Sequence, residues 1–198
     1  INVPSVLTTL VTDELDFPNL SMVGVDDRAA AYTAVDYLIR QGHRKIAVLG
    51  GPVTSYPSLM RRQGAQQAME DAGIVFNDKL YGLSNYDFES AYHAMNSLLA
   101  RRAEFTALFA MSDVIAFGAI RALVSAGMRV PEDVSVIGFD GITMSRYCVP
   151  VMTTIVQPSE QIALQSIELL VRQIEHGSPA QTVTLQPELQ QGESVRAI

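Results

Sequence analysis

Arg61, Tyr86 and Asp140 are side chains of the types that hold a polyhydroxylated molecule. A guanidinium presents paired donors that match vicinal hydroxyls, a carboxylate accepts from two hydroxyls, and an aromatic face covers the CH side of a sugar ring. Each follows an apolar run of strand length, as do Ser55, Ser112 and Asp113. Each also has a plainer reading. Ser112 and Asp113 suit the start of a helix, Asp140 before Gly141 suits a turn, and Tyr86 suits loop packing. Arg61 suits a surface ion pair, but Arg62 occupies a different helical face, so at most one of the two points at the strand ends. Catalytic patterns are missing: there is no G-x-S-x-G elbow, no G-x-x-x-x-G-K-[ST] loop and no G-x-G-x-x-G. Gly50-Gly51-Pro52 comes nearest, and its proline removes an amide donor that a phosphate needs. His43, His93 and His176 have no ligand-like spacing to one another or to Cys148, so neither a metal nor a cofactor is expected.

Composition narrows the classes further. With 14 Lys+Arg against 21 Asp+Glu, the 198 residues carry a formal charge of −7. That balance speaks against a free-standing nucleic-acid binder, whose affinity comes from basic residues releasing counterions. The basic clusters Arg101-Arg102 and His43-Arg44-Lys45 read as solvated helix ends. At 48% hydrophobic and 18% charged residues, the chain can bury the core of one large or two small domains. Cys148 has no intrachain partner, and a free thiol suits a reducing cytoplasm. No apolar run approaches the roughly 20 residues that span a bilayer. Residues 1–10 lack the basic region and cleavage site of a signal peptide. The chain opens on Ile rather than Met, directly into a strand-like stretch, which points to an upstream segment outside this sequence.

Strands alternating with helices must position these side chains. Residues 45–50 (KIAVLG), 105–110 and 134–139 (VSVIGF) read as buried strands. Shorter strands are expected near Leu80-Tyr81, at 153–155 and at 182–185. Helices are expected over 28–41, 58–72, 89–101, 113–126 and 161–175, most closed by a following Gly. In the fourth, Ala116, Ile120, Leu123 and Val124 form one apolar stripe. Residues 13–19 read as a polar loop. The alternation predicts an α/β fold, doubly wound, with parallel strands and crossover helices on both faces. Ligands then bind beyond the carboxyl ends of the strands.

The strings LIRQGHRKIAVLGG (38–51), SLMRRQG (58–64), ALFAMSDVIAFGAIR (107–121), GMRVPEDVSVIGFD (127–140) and PVMTTIVQP (150–158) resemble the effector-binding core of the LacI/GalR family of bacterial transcriptional regulators. The likeness covers nearly the whole chain, in order. It implies a type I periplasmic-binding-protein-like fold of two α/β lobes joined by three crossovers, with a sugar or another small effector held between them. The crossovers map near Val25-Asp26, Ile155 to Gln157 and Leu185 to Pro187. One lobe is then 26–155 plus 187–198, and 1–25 plus 156–186 belongs to an N-terminal lobe that is incomplete here. No DNA-binding domain is expected within this chain. Operator DNA is reached through a helix-turn-helix domain upstream, in a cytoplasmic homodimer that meets no membrane.

By the same resemblance, the family's effector-binding arginine falls on Arg61 and its aspartate on Asp140, with Phe139 beside it. The stacking aromatic falls on Tyr86, five residues before Ala91, where the family often has Gly. The polar residue ahead of a helix falls on Ser112, followed by the usual Asp113, and Ser55 completes the ligand-binding set. The dimer interface maps to Phe117, Ile120, Arg121, Tyr147 and Cys148, with Phe117 read either as an exposed apolar anchor or as core. Two other functions fit the same fold. A periplasmic sugar-binding protein requires a signal peptide upstream and a monomer. A sugar-active enzyme requires a pair of carboxylates near the cleft, of which only Asp140 is well placed.

Overall fold

The computed structural model describes residues 3–15 and 17–198. Ile1, Asn2 and Asp16 lie outside the described residues, and with them part of the expected strand-like opening and of the polar loop at 13–19. In chain order the elements are β1 (Ser5–Thr8), β2 (Leu20–Val25), α1 (Asp27–Arg40), β3 (Ile46–Gly50), α2 (Tyr56–Asp71), β4 (Tyr81–Leu83), α3 (Phe88–Ala100), β5 (Ala107–Ala110), α4 (Asp113–Ser125), β6 (Ser135–Asp140), β7 (Thr153–Val156), α5 (Ser159–His176), β8 (Thr182–Leu185) and β9 (Glu188–Gln190). They divide into two compact units, Ile1–Asp26 with Gln157–Glu188 and Asp27–Val156 with Leu189–Ile198.

The smaller unit holds a three-stranded sheet in the order β1-β2-β8, parallel throughout. Ile162 and Leu169 of α5 pack on Val23 and Val25 of β2. Gly24 faces the other way, where a Cβ would meet the backbone of Thr9 and Leu10. The helix ends at Gly177, whose φ of 62° is a left-handed cap open to glycine. The face of α5 away from the sheet is also apolar: Leu164, Ile167, Val171 and Ile174 recur at 3-4-3 spacing and are 42–64% exposed.

The larger unit is built on a six-stranded sheet, order β4-β3-β5-β6-β7-β9, parallel from β4 to β7. Every residue of β3 and β5 is buried, as expected of strands covered on both faces. The chain leaves β3 for β4 through α2, returns past β3 to β5 through α3, and continues to β6 through α4. Right-handed crossovers therefore place α2 on one face and α3 and α4 on the other, with α1 packed along α2. The direction of winding reverses between β3 and β5. At such a switch point the loops diverge and leave a crevice at the carboxyl ends. Phe109, Phe139, Leu38, Leu49, Met95 and Ile137 fill the core between the layers.

Several boundaries differ from the sequence reading for local reasons. Helix α2 starts at Tyr56 rather than at 58, because Ser55 Oγ accepts from Ser58 N and Pro57 fits a first turn that needs no amide there. The strand expected at Leu80-Tyr81 runs over 81–83, and 78–80 forms a 3-10 turn capped by the side chain of Asn77. Strand β9 was not expected, since its three residues carry no apolar run. In α4 the inward face is Ile115, Ala116, Ala119, Ala122 and Leu123, while Val124 is 51% exposed and Ile120 only partly buried. Gly118 sets that rotation: a Cβ there would meet Ala91 Cβ at 2.8 Å, so the two small residues let α3 and α4 close together.

Candidate functional site

Arg61 lies in the second turn of α2, and its guanidinium reaches the strand ends although the residue is only 5% exposed. Nε donates to Asp27 Oδ1 at 2.7 Å, Nη1 donates to the carbonyl of Met111 at 2.5 Å, and Asp140 Oδ1 lies 3.5 Å from Nη1. The guanidinium plane rests on the ring of Phe139, 3.7 Å from its centroid, a cation–π contact in a desolvated setting. Asp27 opens α1, and α1 and α2 approach closely because residue 64 is glycine: a Cβ there would strike the carbonyl oxygen of Arg28. Three turns thus converge on one guanidinium: the start of α1, the end of β5 and the end of β6.

Asp140 ends β6 with φ 106°, a conformation that side chains rarely adopt, and Gly141 follows with φ 69°. A Cβ on Gly141 would press on Val156, so glycine is required both for the turn and for the space. Asp113 secures this turn from beneath. It is fully buried; Oδ2 accepts from Ile142 N at 2.9 Å and Oδ1 from Thr154 Oγ1 at 2.6 Å. Burial pushes its carboxyl up to about 6, aided by the nearby Asp140 and opposed by those hydrogen bonds. Asp113 therefore supports Asp140 from the interior and presents no surface to a ligand, which corrects its place among the ligand-binding candidates. Phe139 and Ser112 are likewise buried. Phe139 is the platform under Arg61, and Ser112 Oγ caps α4 by accepting from Ile115 N.

Tyr86, half-buried with φ 61°, lays its ring over Gly51, where any side chain would collide with it. Its hydroxyl lies 3.5 Å from Ser55 Oγ, the same oxygen that caps α2. The structure thus brings Arg61, Asp140 and Phe139 into contact, pairs Tyr86 with Ser55, and sets both groups at the carboxyl ends of the strands. Asp27 and the Met111 carbonyl are the parts of the site that sequence reading missed. The one available signal was that Asp27 also follows a strand. Among the described residues no group of three or more His, Cys, Asp or Glu could hold a metal ion.

The remaining candidates lie elsewhere on the larger unit. Phe117 and Ile120 are partly buried against the core, Arg121 is exposed, and Tyr147 is 76% exposed near Met144 and Val149. Burial pushes the Cys148 thiol up, and its Sγ sits 3.1 Å from the carbonyl of Pro150. A cleft of about 380 Å³ opens at the opposite, amino ends of the strands, between Ile46, Met69 and Leu80. Lys45 and Glu104 pair at its rim, which Arg44 and Asn77 also line.

The family model for the periplasmic binding protein-like domain matches residues 35–195. A sugar-binding transcriptional regulator of the LacI family from Escherichia coli, solved with phosphate, is 32% identical with a TM-score of 0.82, over 90% of this chain and 69% of that one. This chain belongs to the LacI family of transcriptional regulators. Another relative, the regulator CelR in complex with cellobiose, is 33% identical with a TM-score of 0.85, covering 91% of this chain and 56% of its own. The HTH-type transcriptional repressor PurR of Histophilus somni is 35% identical over 181 residues, 91% of this chain and 54% of PurR. The chain spans about half the length of the curated LacI-family relatives it matches. No helix among the described residues is long and apolar enough to cross a membrane.

Proposed function

We propose that this chain is the effector-sensing core of a cytoplasmic LacI-family regulator, binding a small molecule, a sugar, at the Arg61–Asp140 edge of its larger unit. The observation that carries the reading is the oriented guanidinium of Arg61, stacked on Phe139 and fixed by Asp27 and Met111 with Asp140 beside it. A donor fork held this firmly next to an acceptor carboxylate suits vicinal hydroxyls and needs little reorganisation on binding. Tyr86 and Ser55 flank it from the next strand end. The cellobiose held by CelR supports a sugar as the ligand class.

Such a site acts by binding rather than catalysis. The effector changes operator affinity of a helix-turn-helix domain elsewhere on the polypeptide, and only to the extent that it binds two conformations differently. The regulator works as a homodimer, whose interface uses the outer face of α4 and the segment around Tyr147. Calorimetric titration of a sugar panel against the full-length protein tests the site. Arg61→Lys keeps a positive charge beside Asp27 but loses the planar fork, and is expected to weaken effector binding at least 100-fold. Arg61→Ala also removes the ion-pair partner of the buried Asp27 carboxylate, which costs about 3–5 kcal/mol of stability. Wild-type affinity in a folded Arg61→Lys protein overturns the assignment.

A further inference from the structure

The guanidinium of Arg61 is shared by two carboxylates. Asp27 takes Nε at 2.7 Å, with both side chains almost wholly buried, and Asp140 lies 3.5 Å from Nη1 with its side chain 27% exposed. Within this cluster two carboxylates face one guanidinium and offset its charge. We propose that Asp27 is a positioning residue that sets the charge class of the ligand. It aims Arg61 as a hydroxyl-reading donor and, together with Asp140, cancels its charge, so that the site accepts neutral polyhydroxylated molecules and rejects phosphorylated ones. The inference rests on the reading of the Arg61–Asp140 edge as the effector site.

The chemistry follows from the geometry. Asp27 is too buried to touch a ligand and acts on one through Arg61. With Nε committed to Asp27 and one Nη1–H to the Met111 carbonyl, the guanidinium is fixed in orientation, and the donors it keeps for a ligand lie beside the Asp140 carboxylate, which tolerates a neutral hydroxyl and repels a phosphate. A phosphate monoester carries about −1.5 to −2 charges at neutral pH. It would have to approach an Asp140 carboxylate that already faces outward, and Asp113 behind that turn adds a further negative charge above pH 6.

Full-length wild-type protein, Asp27→Asn and Asp140→Asn are titrated calorimetrically at pH 7.5 with inorganic phosphate and with two pairs, ribose against ribose 5-phosphate and cellobiose against cellobiose 6-phosphate. Asparagine at 27 keeps an oxygen for Nε and removes only the charge. The expected result is phosphate binding at least tenfold tighter in Asp27→Asn than in wild type. For any sugar that binds, the preference shifts at least tenfold toward the phosphorylated member. Equal phosphate behaviour in the two proteins, undetectable binding in both included, overturns the inference, as does a wild-type preference for a phosphorylated sugar. If Asp27→Asn does not fold, Asp140→Asn decides: the same tenfold shift upholds charge cancellation, and its absence overturns it. Failure of wild type to bind any sugar counts against the proposed function, while the phosphate comparison still decides the role of Asp27.

Discussion

Asp113 holds its proton more tightly in the folded protein than in the unfolded chain, because burial raises its carboxyl from the usual 3.8 to about 6. The sign of the resulting pH dependence follows. Between those two values the folded state binds the extra proton, so stability falls as pH rises from about 4 to about 6 and is level on either side, a change of about 3 kcal/mol from this group. Asp113→Asn is expected to remove that slope. An asparagine oxygen still accepts from Ile142 N, and its amide donates to Thr154 Oγ1, which turns to accept. Urea unfolding of both proteins at intervals from pH 4 to 7 checks this; an unchanged slope in the variant means that another group titrates. The residue scale also shows what local sequence hides. Asp113 at a helix start, Asp27 at another and Asp140 in a turn are the same residue type in equally ordinary contexts. Only tertiary partners, such as Arg61 34 positions beyond Asp27, separate a buried support from an exposed acceptor.

Among elements, the α1–α2 pair does the positioning. Its close approach depends on Gly64, where a Cβ would run into the Arg28 carbonyl and come within 3.0 Å of Tyr32 N. Gly64→Ala gains a little helix propensity but wedges the helices apart. A net loss of about 1–3 kcal/mol is expected, with Arg61 drawn away from Asp27 and effector binding weakened. Thermal melts and titration of the same variant check the two effects together; an undisturbed melting temperature would show that the helices yield at no cost. The strands and helices around this pair were readable in the sequence because apolar runs, caps and closing glycines mark them, and their alternation fixes where ligands bind. The facing of α4 was not readable. An alanine-rich helix offers its apolar residues in every direction, and only the close contact at Gly118 and Ala91 selects the inward set. Strand β9 is invisible for a related reason: its place comes from the edge of the sheet it joins, not from its own residues.

At the scale of the whole molecule, Met144, Tyr147 and Val149 leave 59–93% of their surface exposed on one short segment, which Asp113 at the start of α4 holds through Ile142 N. Apolar side chains gathered this way suit an isologous contact between two copies. Tyr147→Glu in the full-length protein is expected to shift the mass measured by light scattering from dimer toward monomer while leaving effector affinity intact; a dimer of unchanged stability places the contact elsewhere. The two units also interleave along the chain, and this bears on synthesis. Ser194 is buried, its hydroxyl donates to the Val136 carbonyl at 2.6 Å, and its oxygen accepts from Thr153 N. Arg196 N reaches Ser135, and the Arg196 carbonyl accepts from His43. The larger unit therefore stays open on the ribosome after strands β3 to β7 have emerged, until the whole second stretch of the smaller unit has been made. At elongation rates of about 5–20 residues per second that interval lasts seconds, long enough for chaperones to meet a nascent sheet whose last stitches are still being translated.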